Sequence, residues 1–163
     1  MKPRDIAVRA GTAADLATLC CFNAAMALET EALRLDPVTL ERGVAAGLAD
    51  PERARYFIAQ SADAVAGCLM LTMEWSDWRA GFWWWIQSVY VAPEFRRRGV
   101  YRALHTHVAE LAADAEGVVG LRLYAEHANA VAHRTYLALG MLDSHYQVFE
   151  QLTIRKQRDV KVT

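Results

Sequence analysis

The chain has 163 residues, 54% hydrophobic and 23% charged, enough for one globular domain and unlike the sparse apolar content of disordered proteins. Its formal net charge of −1 gives no global attraction to nucleic acid or to an anionic membrane. Three cysteines without zinc-type spacing, and no apolar leader, predict buried thiols, a cytoplasmic protein and no metal site.

The first third of the chain predicts a short strand and two helices. Residues 6–9 form an apolar run typical of a strand. Thr12 precedes a helical stretch, and Asp15 stands at its third position, as in a capping box. Asp36 and Pro37 predict the start of the second helix, because aspartate caps helices and proline fits their first position.

The middle of the chain predicts strands. Residues 56–59 and 65–73 flank a short turn and form a hairpin pattern. Residues 74–81 predict a polar loop with two tryptophans. Successive residues of a strand point to opposite faces, and residues 82–91 are apolar on both of these faces. This pattern favours a central strand that is covered on both sides.

The last third predicts a helix from Val100 to a stop at Gly117, then a strand over residues 120–126. A further helix runs from Asn129 to Gly140, and residues 141–154 predict a final strand. The order of these elements indicates one mixed α/β domain.

The segment between the central strand and the following helix is rich in arginine, and Gly99 ends it. A helix N-terminus attracts anions through its backbone N–H groups, and glycine lets a ligand approach the backbone. Arginines beside it can bind a diphosphate from the flanks. The segment therefore predicts a pyrophosphate site; a solvated basic corner is the alternative.

Two blocks of sequence resemble the GNAT N-acetyltransferase superfamily. Residues 89–104, VYVAPEFRRRGVYRAL, are similar to its coenzyme A motif, and residues 129–141, NAVAHRTYLALGM, are similar to its downstream motif. The resemblance covers roughly residues 4–152 and leaves a charged tail, residues 153–163. It implies a mixed, mostly antiparallel sheet of six to seven strands flanked by about four helices.

The resemblance also implies roles for individual residues. The arginine turn and the helix start would hold the diphosphate of acetyl-coenzyme A, and Val91 N–H would polarise the thioester carbonyl. Tyr136 would donate a proton to the departing thiolate; a core tyrosine is its alternative. The implied cofactor-binding residues are Val89, Val91, Arg96, Arg97, Arg98, Gly99, Tyr101, Arg102, Asn129 and Tyr136.

Two positions depart from the family pattern. Tyr101 stands where the family has glycine or alanine, so we expect its ring to turn outward from the turn. Met141 replaces a phenylalanine, which is an apolar exchange that a core tolerates.

The acceptor side of the site needs a group that removes a proton from the amine and residues that contact the acceptor. An alkylammonium must lose a proton before it attacks, and Gln87 in the central strand cannot take one. The carboxylates available elsewhere are Glu29, Glu31, Glu74 and Asp77. Glu74 is the preferred general base, because it ends a strand next to the central one. We expect Glu29 and Gln87 to contact the acceptor.

Five tryptophans fall within residues 75–85. Alternation places Trp83 and Trp85 on one face of the strand and Trp84 on the other. Trp75 and Trp78 are candidates for walls of an acceptor pocket that favours a cation or an apolar group. Core packing and a subunit contact are the alternatives.

The resemblance therefore implies an enzyme that transfers an acetyl group from acetyl-coenzyme A to a primary amine. The acceptor that carries this amine is a small molecule or a peptide. It predicts no nucleic-acid or membrane partner, and a homodimer is a modest preference. A coenzyme A-binding regulatory module without turnover is the alternative. A nucleic-acid-binding protein is a distant third, supported by the arginine turn alone.

Overall fold

The computed structural model describes residues 6–62 and 64–151. The chain divides into two compact units, Met1–Leu123 and Tyr124–Thr163. The first unit contains the strands and helices β1 (Ile6–Ala10), α1 (Leu16–Glu31), α2 (Pro37–Ala49), β2 (Arg55–Ser61), β3 (Ala64–Ser76), β4 (Gly81–Val91), α3 (Val100–Asp114) and β5 (Val118–Arg122). The second unit contains α4 (Ala130–Ala138).

The helix starts are those that the sequence predicts. Thr12 and Asp15 form the capping box, and a single 3₁₀ turn precedes α1. Asp36 caps α2 by accepting a hydrogen bond from the backbone N–H of Thr39 at 2.8 Å. Such caps satisfy N–H groups that the first helical turn leaves unpaired.

The five described strands form one sheet in the order β1-β2-β3-β4-β5. The first three pairings are antiparallel, and β4 pairs with β5 in parallel. Short turns join β2 to β3 and β3 to β4, α1 and α2 lie between β1 and β2, and α3 connects the parallel pair. β4 has a paired neighbour on each side, as its apolar sequence predicts.

Each face of the sheet packs against helices. On one face, Trp84 and Ile86 of β4 lie in a core with Leu104 and Val108 of α3. On the other face, Tyr90 lies in a second core, which α1 and α2 cover. The sequence predicts that Trp84 lies on the opposite face of β4 from Trp83 and Trp85. This prediction is confirmed, since Trp84 is buried in the first core.

A bulge changes the register of β4 at its middle. Met70 of β3 pairs with Ser88, but the next residue, Leu71, pairs with Ile86, so Gln87 has no partner in the β3 ladder. A bulge bends a strand and increases its twist. The direction of β4 therefore changes at Gln87.

β4 and β5 separate in the second half of β4. Their pairing begins at Phe82 with Val118 and ends at Trp85 with Arg122. β4 then continues to Val91 along an edge that pairs with no other described strand. This unpaired edge, over residues 86–91, is the open edge of β4.

The structure corrects four expectations. The predicted loop over residues 74–81 is shorter, because β3 extends to Ser76 and β4 begins at Gly81. The strand predicted at 120–126 occupies Val118–Arg122, since its pairing with β4 stops there. Residues 141–151 form no strand, and the rest of that prediction lies outside the described residues. The described strands number five, fewer than the six or seven expected.

Candidate cofactor and acceptor site

The arginine turn between β4 and α3 has an alternating backbone. Arg97 has a φ of 61° and Gly99 a φ of 86°, both in the left-handed region. Arg96, by contrast, is extended, with a φ of −63° and a ψ of 151°. Left-handed residues within a turn are a feature of the concave N–H nests that bind anions. Gly99 is suited to this because it has no Cβ to clash in that conformation.

The first turn of α3 continues this concave surface. Its first intrahelical bond is donated by the N–H of Ala103 to Gly99 O at 3.0 Å, so the N–H groups before it belong to the helix start. The helix dipole adds partial positive charge there. Arg97, Arg98 and Arg102 are exposed around the turn. The predicted diphosphate residues are thus brought together.

The ring of Tyr101 does not turn outward as expected. It is half-buried and lies along α3, with its centroid 6.0 Å from that of His105, one helical turn on. His105 is itself buried, and burial lowers the pKa of its imidazole. The Tyr101 ring packs along the helix because side chains four residues apart share one helix face.

The backbone of β4 presents Val89 and Val91 to its open edge. The N–H of Ala92 donates to Ala66 O at 3.0 Å and so points toward β3. Successive residues of a strand direct their backbone groups to opposite sides. Val91, and Val89 two residues before it, therefore direct their N–H groups away from β3, toward the edge that β5 has left.

Glu29 of α1 joins the helix to the end of β4 and to the arginine turn. Its Oε1 accepts a hydrogen bond from Tyr90 Oη at 2.7 Å, and its Oε2 accepts one from Arg96 Nη2 at 2.6 Å. Arg96 Nε also donates to Val91 O at 2.9 Å. The hydrogen bonds from Tyr90 and Arg96 lower the pKa of Glu29, so its carboxylate is held ionised.

Glu74 lies in a second network, toward the other end of β4. Its Oε2 accepts a hydrogen bond from the indole N–H of Trp85, and its Oε1 accepts one from Arg122 Nη1 at 3.0 Å. The Arg122 guanidinium also lies over the ring of Trp83, 4.2 Å from the centroid. Sequence reasoning missed Arg122, because nothing in the chain order shows that β5 pairs with this part of β4.

The remaining predicted acceptor residues lie at the tip of the β3–β4 hairpin. Trp75 is 55% exposed and Trp78 86% exposed. Trp75 packs edge-to-face on Phe82, with ring centroids 5.0 Å apart. Core packing therefore accounts for Trp84 but not for these two tryptophans.

The predicted acceptor residues do not form one cluster. Gly67 pairs with Val91, whereas Glu74 pairs with Trp83. Seven residues of β3 separate the two positions, about 23 Å at the usual rise per residue. Glu29 thus lies at the Val91 end of the hairpin, and Glu74, Trp75 and Trp78 lie toward the opposite end.

The second unit carries the two remaining predicted residues. Asn129 caps α4, since its side-chain oxygen accepts a hydrogen bond from the backbone N–H of Ala132 at 3.0 Å. Tyr136 lies in the last part of α4. Burial raises the pKa of its phenol, which keeps the hydroxyl protonated at neutral pH.

The described part of the chain offers neither a metal-binding cluster nor a membrane-spanning helix. No group of three or more His, Cys, Asp and Glu side chains there is placed to hold a metal ion. Within the same residues, no helix has the length and apolar content needed to span a bilayer.

The sequence and the fold were compared with known proteins. The family model of the acetyltransferase (GNAT) family matches residues 21–141. A possible acetyltransferase from Clostridium difficile 630 is 40% identical, with a TM-score of 0.85 over 91% of this chain and 98% of that chain. Comparison with curated proteins found no match.

Two more distant structures share the fold alone. A transcriptional regulator from Bacillus halodurans C-125 is 20% identical, with a TM-score of 0.78 over 90% of this chain and 99% of that one. The aminoglycoside N-acetyltransferase AAC(6')-Iy, in complex with CoA, is 15% identical, with a TM-score of 0.74 over 90% and 94%.

Proposed function

This chain belongs to the acetyltransferase (GNAT) family, and we propose that it transfers the acetyl group of acetyl-coenzyme A to a primary amine. The observation that carries the proposal is the open edge of β4. It ends in a turn with left-handed backbone at Arg97 and Gly99 and then in a helix start. An acyl carrier with a diphosphate fits this arrangement, because the turn suits the anion and the strand edge suits an amide-containing arm.

The cofactor would lie along this edge. The diphosphate would bind the backbone N–H groups of the arginine turn and of the first turn of α3, with Arg97, Arg98 and Arg102 supplying charge around it. The pantetheine arm would pair with Val89 and Val91. The part of the site that depends on Tyr101, Asn129 and Tyr136 rests on the family resemblance.

The chemical step is direct attack of the amine on the thioester. The amine nitrogen bonds to the acetyl carbonyl carbon, the carbon–sulfur bond breaks, and sulfur leaves with its electron pair. Val91 N–H would stabilise the negative charge that develops on the carbonyl oxygen. Tyr136 would protonate the thiolate; its raised pKa supports a role as donor at neutral pH.

The amine must also lose a proton. Glu74, the base preferred from sequence, lies about 23 Å along β3 from the partner of Val91, outside the reach of one bridging water. We therefore propose that Glu74 acts as a base only if the acceptor reacts toward the Trp85 end of β4. With the thioester at Val91, the proton leaves through solvent.

The acceptor would approach from the α1 side of the sheet. Gln87 stands at the bulge, between the two ends of the hairpin. Trp75 and Trp78 would contact a part of the acceptor that is remote from the reacting amine, since they lie at the hairpin tip. A cytoplasmic location and a homodimer accompany this proposal as expectations.

A thiol-release assay with a panel of amines tests the proposal. Amino acids, polyamines, aminoglycosides and lysine peptides would each be incubated with acetyl-coenzyme A, and free thiol measured against a reaction without protein. Release that depends on one acceptor class, with the acetylated product seen by mass spectrometry, supports the enzyme.

A coenzyme A-binding module without turnover is the second candidate. Both carboxylates near β4, Glu29 and Glu74, already accept two hydrogen bonds each, which favours structural roles for them. Tight binding of acetyl-coenzyme A, with no thiol release for any amine between pH 6 and 9, would support the module.

A further inference from the structure

Glu29 and Arg96 are connected to the reacting end of β4 by a continuous set of hydrogen bonds. Glu29 accepts from Arg96 at 2.6 Å and from Tyr90 at 2.7 Å, and Arg96 donates to the carbonyl of Val91 at 2.9 Å. The Arg96 guanidinium also lies over the Tyr90 ring, 5.5 Å from its centroid. The strand end, the turn and α1 are thus held by one guanidinium.

Two N–H groups of the Arg96 side chain already donate hydrogen bonds within the protein. Nε and Nη2 point at two different oxygens, one on β4 and one on α1. The rigid fork of a guanidinium fixes the direction of both bonds at once. Arg97 and Arg98 of the same turn make no side-chain hydrogen bond within the described residues, and they stay exposed to an incoming anion.

The carbonyl that Arg96 holds belongs to the residue whose N–H would meet the thioester. Val91 N–H and C=O leave the same side of β4, the edge that β5 does not cover. Val91 is also the last residue of the strand, where a ladder frays most easily. The Val91 carbonyl belongs to the peptide plane that joins Val91 to Ala92, so the hydrogen bond from Arg96 fixes that plane and the end of the strand on which the Val91 N–H lies.

We propose that Glu29 and Arg96 are positioning residues that fix the end of β4 for acyl transfer. On this assignment Glu29 is neither a base nor an acceptor ligand, and Arg96 is not a diphosphate ligand. Arg98 and its neighbours bind the diphosphate instead. The expected change in kcat rests on the proposed function. The expected change in amide exchange at the end of β4 does not, and it holds for a binding module without turnover as well.

The kinetic test uses four variants. Glu29→Gln and Arg96→Met are expected to lower kcat about tenfold, or about 1.4 kcal/mol, while the dissociation constant for coenzyme A stays within about twofold. Arg98→Met is expected to weaken coenzyme A binding, which Arg96→Met is not. Glu94→Gln, an exposed carboxylate two residues before Arg96, controls for the loss of negative charge near the turn.

Two further variants separate geometry from charge. Because the residues act in series, Glu29→Gln combined with Arg96→Met should lower kcat no more than either alone. Arg96→Lys keeps the charge but cannot direct two bonds as the fork does, so kcat should stay low. Rescue by lysine would overturn the proposal, and so would a loss of coenzyme A affinity in Arg96→Met that equals the loss in Arg98→Met.

A structural readout keeps the test independent of turnover. Amide hydrogen exchange at Ala92, whose N–H donates to Ala66 O, should accelerate in Glu29→Gln and in Arg96→Met, but not in Glu94→Gln. Unchanged exchange in both variants would overturn the proposal even if the wild-type protein is an active enzyme. Accelerated exchange in a protein without turnover would leave the positioning assignment standing and remove the proposed function.

Discussion

Arg122 of β5 reaches across β4 to Glu74 of β3, with Nη1 3.0 Å from Oε1. The contact lies beside the last paired residues of β4 and β5, Trp85 and Arg122. The contact connects β3 and β5, which are the two neighbours of β4. It lies where β4 loses its pairing with β5. The contact thus marks the point at which the pairing of β4 with β5 ends.

Replacement of Glu74 by glutamine should affect stability more than catalysis. The pair is partly exposed, so we expect Glu74→Gln and Arg122→Met each to lower the free energy of unfolding by about 1 kcal/mol or less. The losses should not add, because both remove the same contact. Urea unfolding of the two variants and the double variant measures this. A large drop in kcat in Glu74→Gln alone, with loss of the acidic limb of the pH profile, would instead identify Glu74 as the base.

Gly99→Ala should weaken the anion site through the backbone. Its φ of 86° is one that an L side chain adopts at a cost of about 1–2 kcal/mol. We expect a loss of stability of that size and weaker binding of coenzyme A, measured by urea unfolding and titration calorimetry. Gly43→Ala, an exposed position in α2 with no atom within 4 Å of the added carbon, is the matched control. Equal coenzyme A affinity in Gly99→Ala would contradict the anion-site assignment.

Trp78→Ala should leave stability unchanged, within about 0.5 kcal/mol, because the side chain is 86% exposed. If the hairpin tip contacts the acceptor, KM for the amine should rise severalfold in Trp78→Ala and in Trp75→Ala while kcat stays near that of the wild type. Unchanged KM in both variants would remove the tryptophans from the acceptor site.

Asp15 should contribute to stability in a pH-dependent way. Hydrogen bonds from Arg9, chief among its contacts, lower the pKa of this carboxyl from 3.8 to about 2. The stabilisation is thus present above pH 4 and is lost as the pH falls toward 2. We expect Asp15→Asn to lower the free energy of unfolding by about 2 kcal/mol at pH 7 and to flatten the acid limb between pH 4 and 2. An equal loss at pH 2 and pH 7 would contradict the charge-based explanation.

The cysteines should differ in their reactions with thiol reagents. Burial raises the pKa of the Cys68 thiol to about 12, whereas Cys21 is exposed. Thiolate is the reactive form, so Cys21 should react within minutes at pH 8 and Cys68 only on unfolding. Rapid modification of Cys68 in the native protein would show that the second core opens.

Local signals in the sequence predicted most of the fold. Caps such as Asp36 and turn residues such as Gly99 act within a few positions of themselves, so their effects can be derived from chain order alone. The turn between β4 and α3 was predictable for the same reason. The final strand was predicted wrongly over residues 141–151, because an apolar pattern does not show which neighbour would pair with it.

The acceptor side was less predictable because it depends on contacts between distant segments. Glu29 and Arg96 are 67 positions apart, and Glu74 and Arg122 are 48 apart. The sequence offers several carboxylates and arginines, and only the sheet register shows which of them meet. The bulge at Gln87 likewise arises from how β4 pairs with β3, which residue type alone does not reveal.

The most direct test of the central claim is thermal unfolding with acetyl-coenzyme A, with NAD and ATP at the same concentration as controls. A ligand at one hundred times its dissociation constant adds about 2.7 kcal/mol, which corresponds to about 5–10 °C for a domain of this size. The account predicts a rise of that order with acetyl-coenzyme A and none with the controls. No rise at saturating concentration, or an equal rise with all three nucleotides, would contradict it.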